Sequence, residues 1–235
     1  MVERFGHLAA VRESLLAWPD LPAAIRHILV VKLSETLAGF VVARNWMEEG
    51  RAQRIAQEAC EKATVILAAE TGSEDVSLAG HLRETGQLTA GLVLRSLLSG
   101  NVDFFEQSLA ELADLPVARV SALLHDRRAA GFKAVYERAS LPNSVYPAFR
   151  AAIEAMHDDG FAEPGGNTRL KRRMVERVLT SCAGLPSGDI EPLMMLLRRY
   201  ATEAAREEAR LFCDELVEMD NLVPANDTGR LVAAA

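Results

Sequence analysis

Adjacent His125 and Asp126 carry the sharpest chemical signal in the chain. A histidine and an aspartate side by side at a helix end can ligate a metal in helical phosphohydrolases, where the ion activates water. Such a centre needs further ligands from other helices. His81 upstream and Asp158 or Asp159 downstream could serve, although their spacing does not demand it. A simpler reading gives His125 the carbonyls that end its own helix, where the dipole also favours a cation. Asp126 then caps the following helix. We prefer this reading, and no catalytic residue, metal or cofactor is assigned.

A second signal is the basic run Arg169, Lys171, Arg172, Arg173 and Arg177. Five cations in a short stretch can hold phosphate or a nucleic-acid backbone. No aromatic interleaves with them and no glycine-rich phosphate loop precedes them. A solvated face, neutralising the acidic run Asp158-Asp159 and Glu163 or a partner's acidic patch, is the more economical expectation. Trp46, beside Arg44 and Asn45 at a turn, is either a binding anchor or a partly buried lid on a pair of helices. The chain holds no GxSxG elbow, no HExxH and no CxxC pair. Cys60 sits among alanines on a helix face and reads as packed rather than nucleophilic.

The elements that must position these residues are helices almost throughout. Apolar residues recur at helical spacing. Leu21, Ile25, Ile28, Leu29, Leu33, Leu37, Phe40 and Val41 form one stripe, with Pro22 in the first turn. Val30, Val31 and Val42 lie off it, so this helix is apolar over much of its circumference and is either central or covered by a partner chain. A second long helix, about Glu48 to Ala69, has the face Ala52, Ile55, Ala59, Ala63, Ile66 and Leu67. The short turn Asn45 to Glu49 makes the two antiparallel. Gly72 and Ser73 close it and open the next segment, with Val76, Leu78, Ala79 and Leu82 as its apolar side.

From Gly86 to Asp159 the rhythm changes to short helices with tight joints. Thr89 and Asn101 are N-caps and Gly100 is a stop. Glu111-Leu-Ala-Asp-Leu-Pro116 and Glu137-Arg-Ala-Ser-Leu-Pro142 are two similar joints, each ending one helix and opening another with proline. That pattern predicts helical hairpins stacked as in an α-solenoid. Phe161 to Thr168 reads as a long loop and a sub-boundary at 160–168. A helix from about Arg169 to Ala183 follows. Asp189 then caps a long last helix, Ile190 to about Met219, with the stripe Leu193, Leu196, Leu197, Tyr200, Ala204 and Leu211, and with Arg199 and Glu203 as an i,i+4 pair. A single domain is expected over 1–222, with a disordered tail over 223–235.

Bulk numbers agree with this picture. Of 235 residues, 49% are hydrophobic and only 6% aromatic, and the net charge is −7. Alanine and leucine dominate, and both lose little freedom in a helix. The acidic balance argues against a broad nucleic-acid or anionic-membrane surface. Cys60, Cys182 and Cys213 lie far apart, which suggests reduced thiols and a cytoplasmic setting. Arg26, His27, Lys32 and Glu35 interrupt the most apolar stretch, so it does not read as a membrane span.

Four ordered segments together carry a family resemblance. They are Leu94-Arg-Ser-Leu-Leu-Ser-Gly-Asn-Val-Asp-Phe-Phe-Glu106, Leu109-Ala-Glu-Leu-Ala-Asp-Leu-Pro116, Leu123-Leu-His-Asp126 and Ala148-Phe-Arg-Ala-Ala-Ile153. With them the chain resembles an uncharacterised alphaproteobacterial family, domain of unknown function twenty-three thirty-six. The resemblance is densest from Gly86 to Met156 and extends from about Leu21 to Leu222. It implies HEAT-like stacked helices in a cytoplasmic bacterial protein and transfers no catalytic residue. Longer members carry a further helical-repeat segment at the N-terminus, so this chain resembles a short version.

The expected fold is therefore all-α, a short HEAT-like solenoid of antiparallel hairpins with long helices at both ends. The expected function is a non-enzymatic scaffold or adaptor for an unidentified protein partner, with a homodimer through the apolar first hairpin. The alternatives are a His125–Asp126 metal-dependent phosphohydrolase and nucleic-acid or nucleotide binding by the 169–177 face.

Overall fold

A computed structural model describes residues 2–71, 77–126, 129–159, 169–184 and 190–222. Gly72, Ser73, Val76, the 160–168 loop with Glu163, the Asp189 cap and the 223–235 tail fall outside these residues. The described residues are helical and contain no strand. After α1 (Val2–Phe5) and α2 (Ala9–Leu16) come the long pair α3 (Ala23–Ala43) and α4 (Glu49–Thr71). The short helices are α5 (Ser77–Glu84), α6 (Ala90–Ser99), α7 (Val102–Ala113), α8 (Val117–His125) and α9 (Ala129–Arg138). α10 (Tyr146–Asp159), α11 (Arg172–Ala183) and the long α12 (Glu191–Leu222) complete the chain. No helix among the described residues is long and apolar enough to cross a membrane.

The α6–α7 hairpin is the centre of the stack. Every residue from Leu92 to Ser99 and from Phe104 to Ala110 is buried, and α7 touches α4, α5, α6, α8 and α9. Local chemistry sets the corner. The Thr89 hydroxyl accepts from the Leu92 N–H at 3.1 Å and the Asn101 carboxamide oxygen from the Phe104 N–H at 3.2 Å. These bonds satisfy donors that a helix start leaves bare. Gly100 takes φ 77°, and a Cβ there would stand 2.8 Å from Lys171 Nζ. The Lys171 N–H in turn donates to the Leu98 carbonyl at 3.1 Å, so the entry to α11 closes over this corner.

The two similar joints share a geometry. Asp114 has φ 52° and Ser140 has φ 54°, and each precedes Leu-Pro. The Arg138 guanidinium, on the helix leading into the second joint, donates to the Ala113 carbonyl in the first. Between them the few aromatics gather: Tyr136 packs against Tyr146 at 5.0 Å and Phe149 at 5.4 Å, and Phe149 stacks on Phe105. Short helices joined this way form a solenoid-like stack.

The long helices depart from expectation. On α3 only Ala23, His27 and Leu29 are buried. Leu33, Leu37 and Phe40 of the apolar stripe are exposed, Leu37 to 55%, so of the two expected settings α3 does not take the central one within a single chain. An α-helix apolar on all sides contains no pattern that selects the inward face. On α4 the buried residues are Ala52, Thr64, Val65 and Ala68, while Ile55 and Ala59 face solvent. Arg26 at the start of α3 lies 3.7 Å from Glu70 near the end of α4, as the antiparallel arrangement requires.

α12 seats Leu193, Leu197, Tyr200 and Ala204 in the core. Leu211 is exposed, as is every residue from Ala209 to Glu218, where the helix has passed its contact with α11 at Glu208. The expected Arg199–Glu203 pair does not form. Arg199 meets Glu58 at 2.8 Å. Glu203 instead takes Arg95, only 2% exposed, in two parallel bonds of 2.9 Å. The Tyr200 ring lies 4.6 Å from the Arg95 guanidinium, and the Tyr200 hydroxyl donates to the Gly91 carbonyl at 3.2 Å. Removing one partner of a buried ion pair leaves the other charge uncompensated. Arg95→Met is expected to cost about 3 kcal/mol in urea denaturation. Glu203→Gln is expected to cost less, since Arg95 keeps Glu61 at 4.0 Å.

Candidate functional site

Each residue singled out from the sequence has its own setting. The His125 Nδ1–H donates to the Ser121 carbonyl at 2.9 Å, at the end of α8. The same nitrogen stands 3.4 Å from the Ser121 hydroxyl and 3.6 Å from Glu106 Oε1. Serine and carboxylate thus face one ring nitrogen, whereas a nucleophile relay needs them on opposite ones. Burial pushes the Glu106 carboxyl above the usual carboxylate range. Asp126 occupies the C-terminal end position of α8. His81 packs edge-on against His27, with ring centres 5.8 Å apart, and Asp158 pairs with Arg177. The structure therefore does not bring His81, His125 and Asp158 together. Among the described residues, no three His, Cys, Asp or Glu side chains gather as metal ligands would.

Two of the five residues in the basic run, Arg172 and Arg177, pair with carboxylates of the same chain. Arg172 meets Glu176 at 2.7 Å and Glu208 at 2.8 Å, and Arg177 meets Asp158. Lys171 lies over Gly100, and Arg169 and Arg173 are exposed. Trp46 is 68% exposed, more than a lid would be. It sits edge-on to Phe40 at 5.7 Å, and the Arg44 guanidinium lies 5.0 Å from the same ring.

A cavity of about 550 Å³ lies along the α3–α4 hairpin and ends against the start of α6. One face of each long helix lines it. α3 contributes Val31, Ser34, Ala38 and Val42, and α4 contributes Ala52, Ala56, Cys60 and Glu61. Small residues leave the space open, and its volume falls in the range of small-molecule sites. Thr89 and Leu92 close the inner end. Burial raises the Cys60 thiol's pKa, so it stays protonated, in keeping with a packed rather than a nucleophilic cysteine.

Two titratable residues of this lining were not candidates from the sequence, where His27 figured only as an interruption of an apolar stretch. His27 is 3% exposed and its Nδ1 has no hydrogen-bond partner. Burial, helped by neighbouring His81, pulls its pKa down to about 4, so the ring is neutral near pH 7. Glu61 Oε1 accepts from Gln57 and Thr89, both at the long distance of 3.4 Å. Burial raises this carboxyl's pKa, against the opposing pull of Arg95. The available signal for His27 was a polar residue interrupting an apolar face, between Ala23 and Val31; Glu61, next to Cys60 in a charged stretch of α4, had none.

Fold and site define an all-α helical stack with a ligand-sized cavity in its first hairpin. The chain belongs to the bacterial family described as "Uncharacterised protein conserved in bacteria" (DUF2336), which it matches over residues 1–188. The densest segments of resemblance lie inside that range, while α12 lies beyond it. No curated protein and no solved structure matches the chain.

The neutral His27 makes stability depend on pH. The unfolded chain protonates this imidazole below about 6.5, whereas the folded chain does so only near 4. Stability is therefore lost as pH falls through that window, by up to about 3 kcal/mol. Glu61 and Glu106, whose carboxyls are raised, act in the opposite sense. The His27→Leu variant isolates the imidazole: its urea midpoint is expected to fall less than that of the wild type over the same pH range.

Proposed function

We propose that this chain is a non-enzymatic helical scaffold that works by protein–protein contact, beginning with a second copy of itself. The observation that carries the reading is the outer face of α3. Leu33, Leu37 and Phe40 project from it, and Trp46 stands on Phe40 at its end, all exposed. Apolar side chains this large gather on a surface where a partner covers them. The mixture is also that of an interface centre, with aromatic rings and an arginine, Arg44, stacked among aliphatic residues. A twofold contact between two α3 helices would bury the same residues on both copies. The free half of α12, with Phe212, Leu216 and Val217 exposed, offers a second apolar stretch for a further partner.

The HEAT-like character expected from the family resemblance suits such a role, since stacked hairpins present broad surfaces. The pairing of Arg172 and Arg177 with carboxylates of their own chain favours protein contact over nucleic-acid contact.

Size exclusion coupled to light scattering tests self-association. The wild type is expected at twice the 25.6 kDa chain mass. The double variant Leu37→Asp, Phe40→Asp is expected at the chain mass with its helical circular dichroism unchanged, because both positions already face solvent. A wild-type monomer at micromolar concentration would remove the dimer.

A further inference from the structure

We propose that the α3–α4 cavity binds a small organic cation, an amine carried on an unbranched apolar chain, with its ammonium group against Glu61. Three observations support this.

The first is the charge of the lining. Glu35, Glu49 and Glu61 line the cavity, and no lysine or arginine does. Two of these carboxylates already have close partners: Glu35 meets Lys32 at 3.0 Å, and Glu49 accepts from Gln53 at 3.1 Å. Glu61 has only its two 3.4 Å bonds and Arg95 at 4.0 Å. Arg95 is itself committed to Glu203 by two bonds of 2.9 Å. A largely buried carboxylate with such loose partners has capacity for a charge-assisted donor.

The second is the inner wall. His27 stands there almost wholly buried, with Nδ1 unpartnered. The neutral imidazole sets no positive charge against a bound ammonium. A second polar group with unmet hydrogen-bonding capacity thus belongs to the same lining as Glu61. At Gly91 a Cβ would stand 3.3 Å from Glu61 Oε1, so the glycine leaves the carboxylate room.

The third is the shape of the apolar part. Ala52, Ala56 and Cys60 follow one another along one face of α4, opposite Val31, Ala38 and Val42 of α3, and Glu61 borders that row beside Cys60. At 1.5 Å per residue, Ala52 and Glu61 are separated by about 13 Å along the helix. An extended chain of about eight carbons fits beside them with its amine at the glutamate. A carboxylate at the same end of the ligand would meet like charge, and an alcohol would forgo the ion pair.

This inference is independent of the dimer. Helical periodicity puts Leu33, Leu37 and Phe40 on the side of α3 away from His27, Val31, Ala38 and Val42, so either proposal can fail without the other.

Calorimetric titration of the full chain with octylamine, sodium octanoate and 1-octanol at neutral pH is the test. Octylamine is expected to bind at least tenfold more tightly than either analogue of equal length. Glu61→Gln is expected to weaken octylamine at least tenfold and leave octanol unchanged. Ala56→Phe, which fills the cavity from an independent position, is expected to abolish octylamine binding while helical circular dichroism is retained. Equal affinities for the three ligands would overturn the proposal. So would undetectable octylamine binding by the folded wild type, or unchanged octylamine binding in folded Ala56→Phe.

Discussion

The buried guanidinium of Arg95 is the constraint on which the arrangement of the long helices depends. A cation this deep must be paired, and its partners come from two elements distant in sequence. Glu203 on α12 supplies a bidentate carboxylate, and Glu61 on α4 lies at the edge of reach. Tyr200 covers the planar face. Such a cluster is not in itself a large source of stability, since three well-packed apolar residues could serve as well. What it supplies is orientation. The fork of the guanidinium accepts α12 in one rotation and one axial position, and Lys62, reaching Glu203 and Glu207, reinforces both.

The same constraint shapes the cavity. Because Arg95 is held by Glu203, Glu61 is left with long hydrogen bonds in a space whose lining includes several alanines, a serine and two valines. Larger side chains along the facing sides of α3 and α4 would close that space and gain apolar burial. The small residues therefore mark a place where packing is forgone, and the loosely held polar groups belong to its lining.

Much of the short-helix region was legible in the sequence. Thr89, Asn101 and Gly100 act through their own backbone neighbourhoods, so their roles follow from residue type and spacing. The Asp114 and Ser140 joints share a conformation because their flanking leucine and proline are shared. The local role of His125, at the carbonyls of its own helix, was legible for the same reason. What could not be read is the orientation of α3. With apolar residues all round, its exposed face is decided by which side α4, α5 and α1 pack against. Arg199 and Glu203 show the same limit: a correct local spacing was overridden when each found a better partner on another helix. The cavity, too, depends on how two helices splay, which no single helix encodes.

α12 begins just past the residues that carry the family match, yet its Glu203 and Tyr200 complete an environment whose centre, Arg95, lies well inside them. The match boundary therefore does not coincide with a physical one: a chain cut before α12 would leave the Arg95 cation buried without its main carboxylate, and the short helices alone could not satisfy it.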